Sequence, residues 1–156
     1  MRMAYAVIRV RGHSKIKSDI EETMELMHLN RPNHCAVLPE NDTVRGMLYK
    51  TKDYVTWGEV DENTLAKMIK FRGRMEGDAP VDDEAVKSRS KYTSIIALAR
   101  AVKKGEATYA GLEGFKPIFR LSPPRKGFEG NKRSYQNGGA LGYRGKDINA
   151  LIERML

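Results

Sequence analysis

This sequence has little cysteine and no long apolar runs, and one part of it has few acidic residues. Its 156 residues include one cysteine, Cys35, which excludes a disulfide framework and a thiolate-rich zinc site. The longest apolar runs, such as Ala4 to Ile8, have five residues, far fewer than the roughly 20 that a membrane-spanning helix needs. Arg9 and Arg11 interrupt the apolar character near the N-terminus, so we expect no signal peptide. These absences predict a cytoplasmic protein without a membrane partner.

Residue patterns typical of catalytic or metal sites are also missing. The histidines of the chain are His13, His28 and His34. None of them has a second ligand at metal-binding spacing, and Cys35 is expected to be a small buried residue of a strand. The acids at 82–84 are typical of the first turn of a helix. The glycine-rich stretch 138–142 lacks the lysine and hydroxyl residue of a phosphate-binding loop. The sequence therefore predicts no enzyme, no metal, no cofactor and no small-molecule substrate.

Positive charge is concentrated in one stretch, residues 115–146. The formal net charge of the chain is +8, and this stretch has eight basic residues against one acid, Glu129. Its basic residues are Lys116, Arg120, Arg125, Lys126, Lys132, Arg133, Arg144 and Lys146. Prolines, glycines and five aromatic residues, among them Tyr135, lie between them. Such a stretch cannot form a long helix or a packed core alone.

Two interpretations of this basic segment compete. Cations that meet phosphates, next to aromatic rings that meet bases, are typical of RNA binding. The alternative is a flexible, solvated basic loop whose aromatic residues are tucked into the core. We favour RNA binding because the charge is confined to one stretch, the aromatic residues are interleaved with it, and acids are nearly absent.

Hydrophobic patterning predicts alternating strands and helices, and then a helical extension. We expect strands at 4–10, 34–38 and 55–60, and helices at 18–29, from 41–43 onward, and at 61–71. Ser18 to Glu21 has the pattern of a capping box with Ser18 as N-cap. Further expected elements are helices at 80–87, 92–104 and from 147 to the end, and an edge strand at 116–121. The predicted division is a core at 1–72 and an extension at 73–156, which contains the basic segment and the C-terminal helix 147–156.

Arg45 and Gly46 fall in the first turns of the second predicted helix, where both are unfavourable. A cation there opposes the helix dipole, and a glycine inside a helix costs about 1 kcal/mol relative to alanine. A phosphate backbone packed against the helix start would explain both residues. Alternatively, Gly46 lets a neighbouring element pack closely while Arg45 is solvated. The residues alone leave both explanations open.

Motifs along the whole chain resemble one known family. The stretch from Leu29 to Val60 contains Asn33-His34 at the start of a strand, Val37-Leu38-Pro39, Val44-Arg45-Gly46-Met47, and Lys50 to Tyr54. Together with residues 4–12, the Pro-Pro-Arg-Lys-Gly-Phe motif at 123–128 and residues 145–156, it resembles the universal large-subunit ribosomal protein thirty family. The resemblance is to the longer archaeal and eukaryotic form.

The resemblance implies a fold, a function and partners. The implied fold is α+β, with a βαβαβ core, a three-stranded sheet of ferredoxin-like character, extra helices and a basic Gly/Pro-rich extension. The implied function is that of a structural constituent of the large ribosomal subunit. Its partners would be large-subunit rRNA, in the neighbourhood of the 5S rRNA, and adjacent ribosomal proteins.

Charge pattern and resemblance together predict rRNA-binding residues. Within the basic segment they are its eight basic residues and Tyr135, with Arg125, Lys126, Arg133 and Arg144 expected to touch phosphates. Outside the segment they are Arg9, Arg11, Arg31, Asn33, His34, Arg45, Gly46, Lys50 and Lys52. Of these, Arg9, Arg31, Arg45 and Lys50 are expected to form a second, more rigid patch.

Two other functions fit parts of the pattern. A free-standing RNA- or DNA-binding module, or an RNA chaperone, would have the same distribution of charge. A small acylphosphatase-like hydrolase would need a phosphate-cradling loop after the first strand, and Arg11 to Ser14 only weakly imitates one. Sedimentation with the large subunit distinguishes the ribosomal function from the free module.

Overall fold

A five-stranded mixed sheet forms the centre of the molecule. The computed structural model describes residues 4–130 and 132–156. Its strands are β1 (Ala4–Arg9), β2 (His34–Pro39), β3 (Val55–Glu59), β4 (Ile118–Arg120) and β5 (Gly142–Tyr143). They lie in the order β4-β2-β1-β3-β5, and all neighbours are antiparallel except β3 and β5. The predicted α+β class is confirmed, and β4 and β5 of the basic segment extend the predicted three-stranded sheet at its two edges.

The helices fall where the patterning predicts them, with ends that differ by a few residues. They are α1 (Ser18–Leu26), α2 (Asp42–Lys50), α3 (Glu62–Arg72), α4 (Asp83–Arg89), α5 (Ile95–Lys103) and α6 (Ile148–Met155). Short 3-10 turns occur at Glu76–Asp78, Tyr109–Gly111, Tyr135–Asn137 and Gly145–Asp147.

Side-chain caps fix the starts of three helices. The side chains of Asn41, Asp82 and Ser94 accept a hydrogen bond from a backbone N–H three residues ahead, at 2.8, 2.8 and 3.1 Å. The capping box predicted at the start of α1 is wrong. Ser18 already lies inside the helix, and its carboxylate partner Glu21 is bound to another residue, described below.

Both faces of the sheet are buried. Ala6 and Ile8 of β1 belong to a large cluster with α3, α5 and α6, whereas Tyr5 and Val7 pack with α1 and α2 on the opposite face. The large cluster also contains Cys35, whose thiol pKa is raised to about 12 by burial. Because this cluster draws residues from 4 to 155, the predicted core and extension share one hydrophobic interior.

The C-terminal helix is fixed to the sheet by Asn149. Its side-chain oxygen accepts a hydrogen bond from Asp61 N at 2.8 Å, and its nitrogen donates to the carbonyls of Glu59 and Lys146 at 3.1 and 2.9 Å. Contact here is close, since a Cβ on Gly58 would lie 1.9 Å from the carbonyl oxygen of residue 145. The end of the chain therefore packs directly on β3.

Candidate nucleic-acid interface

Strand register brings many of the predicted RNA-binding residues to one end of the sheet. Arg9, at the end of β1, pairs with Val55 at the start of β3, and His34, at the start of β2, pairs with Arg120 at the end of β4. The connections 10–17, 27–33 and 51–54 therefore lie at this end. The connection 121–141 also leaves and re-enters the sheet here. We call these four connections the loop end.

Exposed cations without a carboxylate partner are the first component of this surface. Within the described residues, seven of the predicted cations have no acidic partner within 4.0 Å and are exposed: Arg31, Lys52, Arg125, Lys126, Lys132, Arg133 and Lys146. Four of them belong to the connection 121–141. A phosphate can bind such cations without displacing an existing ion pair.

Asn33 and His34 form a second component at the loop end. Their atoms Oδ1 and Nδ1 are buried and have no hydrogen-bond partner in the part of the chain that the structure describes. Burial lowers the pKa of His34, and the charges of Arg120 and Arg31 lower it further. The ring is therefore neutral at pH 7. Unpaired buried polar atoms are destabilising, and here they lie beside two arginines of the predicted interface.

Arg9, predicted to bind rRNA, lies inside the protein instead. Its side chain is fully buried, and its two Nη atoms each lie 3.1 Å from a carboxylate oxygen of Glu21. It also donates to the carbonyls of Leu29 and Arg11, both at 2.9 Å. A guanidinium whose donors are occupied and shielded from solvent cannot meet a phosphate. Arg9 therefore ties β1 to α1 and is omitted from the interface.

Arg45 is exposed, but two carboxylates already neutralise it. Its Nη2 lies 2.7 Å from Glu40 and its Nη1 lies 3.1 Å from Asp42. Gly46, in contrast, has open surroundings: a Cβ there would meet no atom within 4 Å among the described residues. The explanation in which another element of the chain packs against Gly46 is therefore excluded for that part of the chain. The glycine faces a surface that a partner can approach.

Three further predicted cations are ion-paired. Lys116 and Arg120 share the carboxylate of Asp78, with Arg120 at 3.6 Å. Lys50 lies 3.7 Å from Asp19 on α1. These pairs are exposed, so solvent weakens them and a phosphate can compete for the cations.

Arg11, and also Lys52 of the exposed cations named above, pack against aromatic rings. The guanidinium carbon of Arg11 lies 5.1 Å from the centre of the Tyr54 ring, and Lys52 Nζ lies 4.7 Å from that of Tyr49. Tyr49, in the last turn of α2, is 71% exposed. With Gly46 one turn earlier, it leaves one face of α2 open.

Two residues predicted to bind rRNA, Arg144 and Tyr135, mainly make contacts within the protein. Arg144 donates from Nε to Thr56 Oγ1 at 2.8 Å, and its guanidinium carbon lies 4.7 Å from the centre of the Tyr135 ring. Burial lowers the pKa of Arg144. The hydroxyl of Tyr135 donates to the carboxylate of Asp147, and this bond raises the tyrosine pKa. Both side chains hold the connection 121–141 against β3.

The aromatic residues of the basic segment divide between interior and surface. Phe115 and Phe119 are buried in the large cluster, and Phe128 packs partly against it. Tyr143 is 45% exposed. The phenylalanines therefore anchor the segment, as in the alternative interpretation, while most of its cations remain at the surface.

Sequence reasoning missed a group at the C-terminal end of α3. Phe71, Arg72 and Arg74 line an open cavity of about 530 Å³ together with Arg125 of the basic segment. The signal is present in the sequence as Lys70-Phe71-Arg72-Gly73-Arg74, a run of cations around one aromatic residue. It is easily overlooked because the acids between 61 and 102 balance the local charge.

A metal site and a membrane-spanning helix are both absent from residues 4–130 and 132–156. That part of the chain contains no group of three or more His, Cys, Asp or Glu side chains that could hold a metal ion. It also contains no helix with the length and apolar character needed to cross a bilayer.

Known proteins are similar in sequence to this chain over nearly its whole length. Residues 5–55 match the family model described as ribosomal protein L30p/L7e. Large ribosomal subunit protein uL30 of Methanosphaera stadtmanae is 47% identical over 152 residues, which cover 97% of this chain and 99% of that protein. The protein of the same name from Methanoregula boonei is 45% identical with the same coverage. That of Thermoplasma volcanium is 47% identical over 97% of this chain and 92% of its own length.

Proposed function

The chain belongs to the ribosomal protein L30p/L7e family, and from this premise we propose that it binds large-subunit rRNA through the cations at its loop end. As a large-subunit ribosomal protein it is part of a ribonucleoprotein that carries out translation, with rRNA and other ribosomal proteins as partners, and it is not an enzyme. One observation carries the proposal. Arg125, Lys126, Lys132 and Arg133 are exposed and lack carboxylate partners among the described residues, within one connection that both edge strands anchor.

Backbone hydrogen bonds support the proposal because they hold this connection in shape. The carbonyl of Arg133 accepts from Leu141 N at 3.1 Å, and the carbonyl of residue 130 accepts from Ala140 N at 3.2 Å. A Cβ on Gly139 would lie 2.0 Å from the Arg133 carbonyl oxygen, so the two sides of this turn are in close contact. A preformed turn loses less conformational entropy when its cations bind phosphates.

The proposed interface has two further parts. Arg31, Asn33, His34 and Arg120 continue the loop end along β2 and β4. The open face of α2, with Gly46 and Tyr49, is a separate surface next to Lys52 of the loop end. On it Arg45 and Lys50 would have to exchange carboxylates for phosphates.

Proximity to the 5S rRNA is the finer part of the proposal, and it rests on the family resemblance. A photoreactive group attached at position 132 of the assembled subunit tests it. Crosslinks to 5S rRNA, or to large-subunit rRNA segments that touch it, are expected. Crosslinks confined to rRNA distant from 5S would overturn this part and leave the main proposal intact.

Binding of the full chain to a large-subunit rRNA transcript over a salt series tests the main proposal. The variant Lys126→Gln/Lys132→Gln/Arg133→Gln removes three cations of the loop end. Each lost phosphate contact lowers the slope of log affinity against log salt by roughly 0.7 to 0.9, so we expect a decrease of about 2 to 3. The matched control is Lys87→Gln/Lys103→Gln/Lys104→Gln, which removes the same charge from α4 and from the C-terminal end of α5.

Equal weakening by both triple variants would mean that only net charge matters, and it would refute a defined interface. Sucrose-gradient sedimentation supplies the second readout. The wild-type chain should migrate with the large subunit at about one copy per subunit at moderate salt. A chain that stays at the top of the gradient would instead favour the free-standing RNA-binding module.

A further inference from the structure

The cavity at the C-terminal end of α3 contains an aromatic ring that the core does not use. Phe71 is 56% exposed and lies outside the hydrophobic clusters. The cavity volume of about 530 Å³ is within the range of pockets that bind small ligands. Lys70 Nζ lies 5.6 Å from the centre of the ring. An exposed ring next to cations is a surface on which a flat, anionic partner can stack.

Arginines converge on this cavity from separate parts of the chain. Arg72 ends α3, where a cation complements the helix dipole, so its charge has an ordinary structural explanation. Arg74 follows the helix and Arg125 comes from the basic segment, and the dipole explains neither. The carboxylate of Glu153 also lines the cavity, but it is paired with Lys67 at 2.9 Å. With three arginines against one glutamate, the lining is net positive.

Hydrogen bonds position all three arginines and leave donors to spare. Arg74 donates from Nη1 to the carbonyl of Gly73 at 2.9 Å. Arg72 donates through its Nη atoms to the carbonyl of Arg120 at 3.1 Å and to Ser122 Oγ at 2.8 Å. Arg125 donates from Nη2 to the carbonyl of Glu153 at 3.1 Å. Arg72 Nε and Arg125 Nε and Nη1 have no partner among the described residues. Planar donor groups fixed in this way are suited to phosphate oxygens.

We propose that this cavity binds a single unpaired nucleotide of RNA, with its base stacked on Phe71 and its phosphate bound by Arg72, Arg74 and Arg125. The inference rests on the proposed function and assigns it a specific site. An unpaired nucleotide is favoured over a duplex because bases inside a helix are already stacked and expose no face. The ring sits in a cavity, which one extruded base can enter and a duplex cannot.

The test compares variants of the full chain for binding to the large-subunit rRNA transcript. Base stacking on an aromatic ring corresponds to roughly a 5- to 150-fold change in affinity, so Phe71→Ala should weaken binding within that range. The salt dependence should not change, because no charge is lost. Phe71→Tyr should retain binding. The matched control is Ile96→Ala, which truncates a side chain that is also exposed, at 57%, on α5.

Arg74→Gln separates the phosphate contact from stacking. It should lower the slope of log affinity against log salt by about 1, unlike Phe71→Ala. Ultraviolet crosslinking of the same complex, followed by mass spectrometry, should find a nucleotide attached to the peptide that contains Phe71. Phe71→Leu, which keeps apolar bulk without an aromatic face, provides a second variant if Phe71→Ala lowers the thermal unfolding midpoint.

The outcomes distinguish this inference from the proposed function. If Phe71→Ala and Phe71→Leu bind rRNA like the wild type while the loop-end triple variant is weakened, the cavity is not a nucleotide site but the proposed function stands. A crosslink from Phe71 to another ribosomal protein in the intact subunit would also overturn the inference, since the occupant would be a protein. If the wild-type chain does not bind the transcript above the level of an unrelated basic protein, both proposals fail.

Discussion

Arg9 and Glu21 form a two-pronged ion pair, in which each guanidinium Nη atom lies 3.1 Å from one carboxylate oxygen. The arginine is fully buried, whereas the glutamate side chain is 20% exposed. The pair joins the end of the central strand to the first helix. It also explains the absent capping box, because the carboxylate that would bond the helix N-terminus faces the arginine instead.

Removal of Glu21 should destabilise the protein strongly. Glu21→Ala leaves a buried guanidinium without its counter-charge, and breaking a buried pair in this way costs about 3–5 kcal/mol. We expect the lower end of that range because Glu21 is partly exposed. Urea unfolding at pH 7 measures the change. Glu22→Ala, an exposed neighbour on the same helix, should cost far less, and equal losses would show that the ion pair contributes nothing specific.

The same pair should make stability depend on pH. Hydrogen bonds from Arg9 hold the pKa of Glu21 below its usual value. A carboxyl group whose pKa is lower in the folded state stabilises the protein fully above the unfolded pKa, and this contribution is lost as the pH falls through the folded pKa. The advantage of the wild type over Glu21→Ala should therefore be present at pH 5 and shrink as the pH falls below about 4.3. A constant difference down to pH 2.5 would contradict this assignment.

Gly46→Ala should separate folding from RNA binding. A methyl group at this helical position meets no other atom within 4 Å in the described structure, so the free protein should gain about 0.5–1 kcal/mol of stability. If rRNA packs against the open face of α2, the same methyl group should weaken binding to the transcript. Thermal unfolding and binding are measured on one preparation. A variant that is more stable and binds unchanged would remove this face of α2 from the interface.

Asn149→Ala should loosen the C-terminal helix. It removes three partly buried hydrogen bonds, one from the backbone N–H of Asp61 and two to the carbonyls of Glu59 and Lys146, and leaves the Asp61 N–H without its side-chain partner. Each unsatisfied buried group costs about 1–3 kcal/mol, so we expect a total loss of at least 2 kcal/mol in the free energy of unfolding. Asn63→Ala, an exposed asparagine on α3, is the control. Hydrogen exchange of the α6 amides should accelerate only in the Asn149 variant.

Strong local signals made most of the fold predictable. The alternation in β1, the cap candidates at Asn41 and Ser94, and the spacing of apolar residues in α6 each depend on residues close together in the sequence. The cap at Asp82 was not predicted, since the acids at 82–84 were assigned to the first turn of a helix that starts earlier. The strand β5 was missed because it has two residues, Gly142 and Tyr143, and its pairing with β3 depends on contacts more than 80 residues apart. No periodicity can reveal so short a strand.

The candidate site was less predictable, because charge alone does not say which cations are free. Arg9 and Arg133 look equivalent in the sequence, yet one is enclosed by β1, α1 and their loops and the other faces solvent. The acids that neutralise Arg45 are Glu40 and Asp42. Because they are close to it in the sequence, these ion pairs could be predicted. The carboxylate shared by Lys116 and Arg120 belongs to Asp78, about 40 residues earlier, and only the tertiary structure brings it there.

The two short edge strands limit where the chain can be truncated. Strands β4 and β5 pair with residues 34–36 of β2 and 56–57 of β3, so a fragment that ends at residue 114 would leave these backbone donors and acceptors open. Such edges recruit other chains. The segment proposed to bind RNA thus also protects the sheet from pairing with other copies of the chain. We expect a truncation of this segment to make the protein insoluble, rather than only to weaken its binding to RNA.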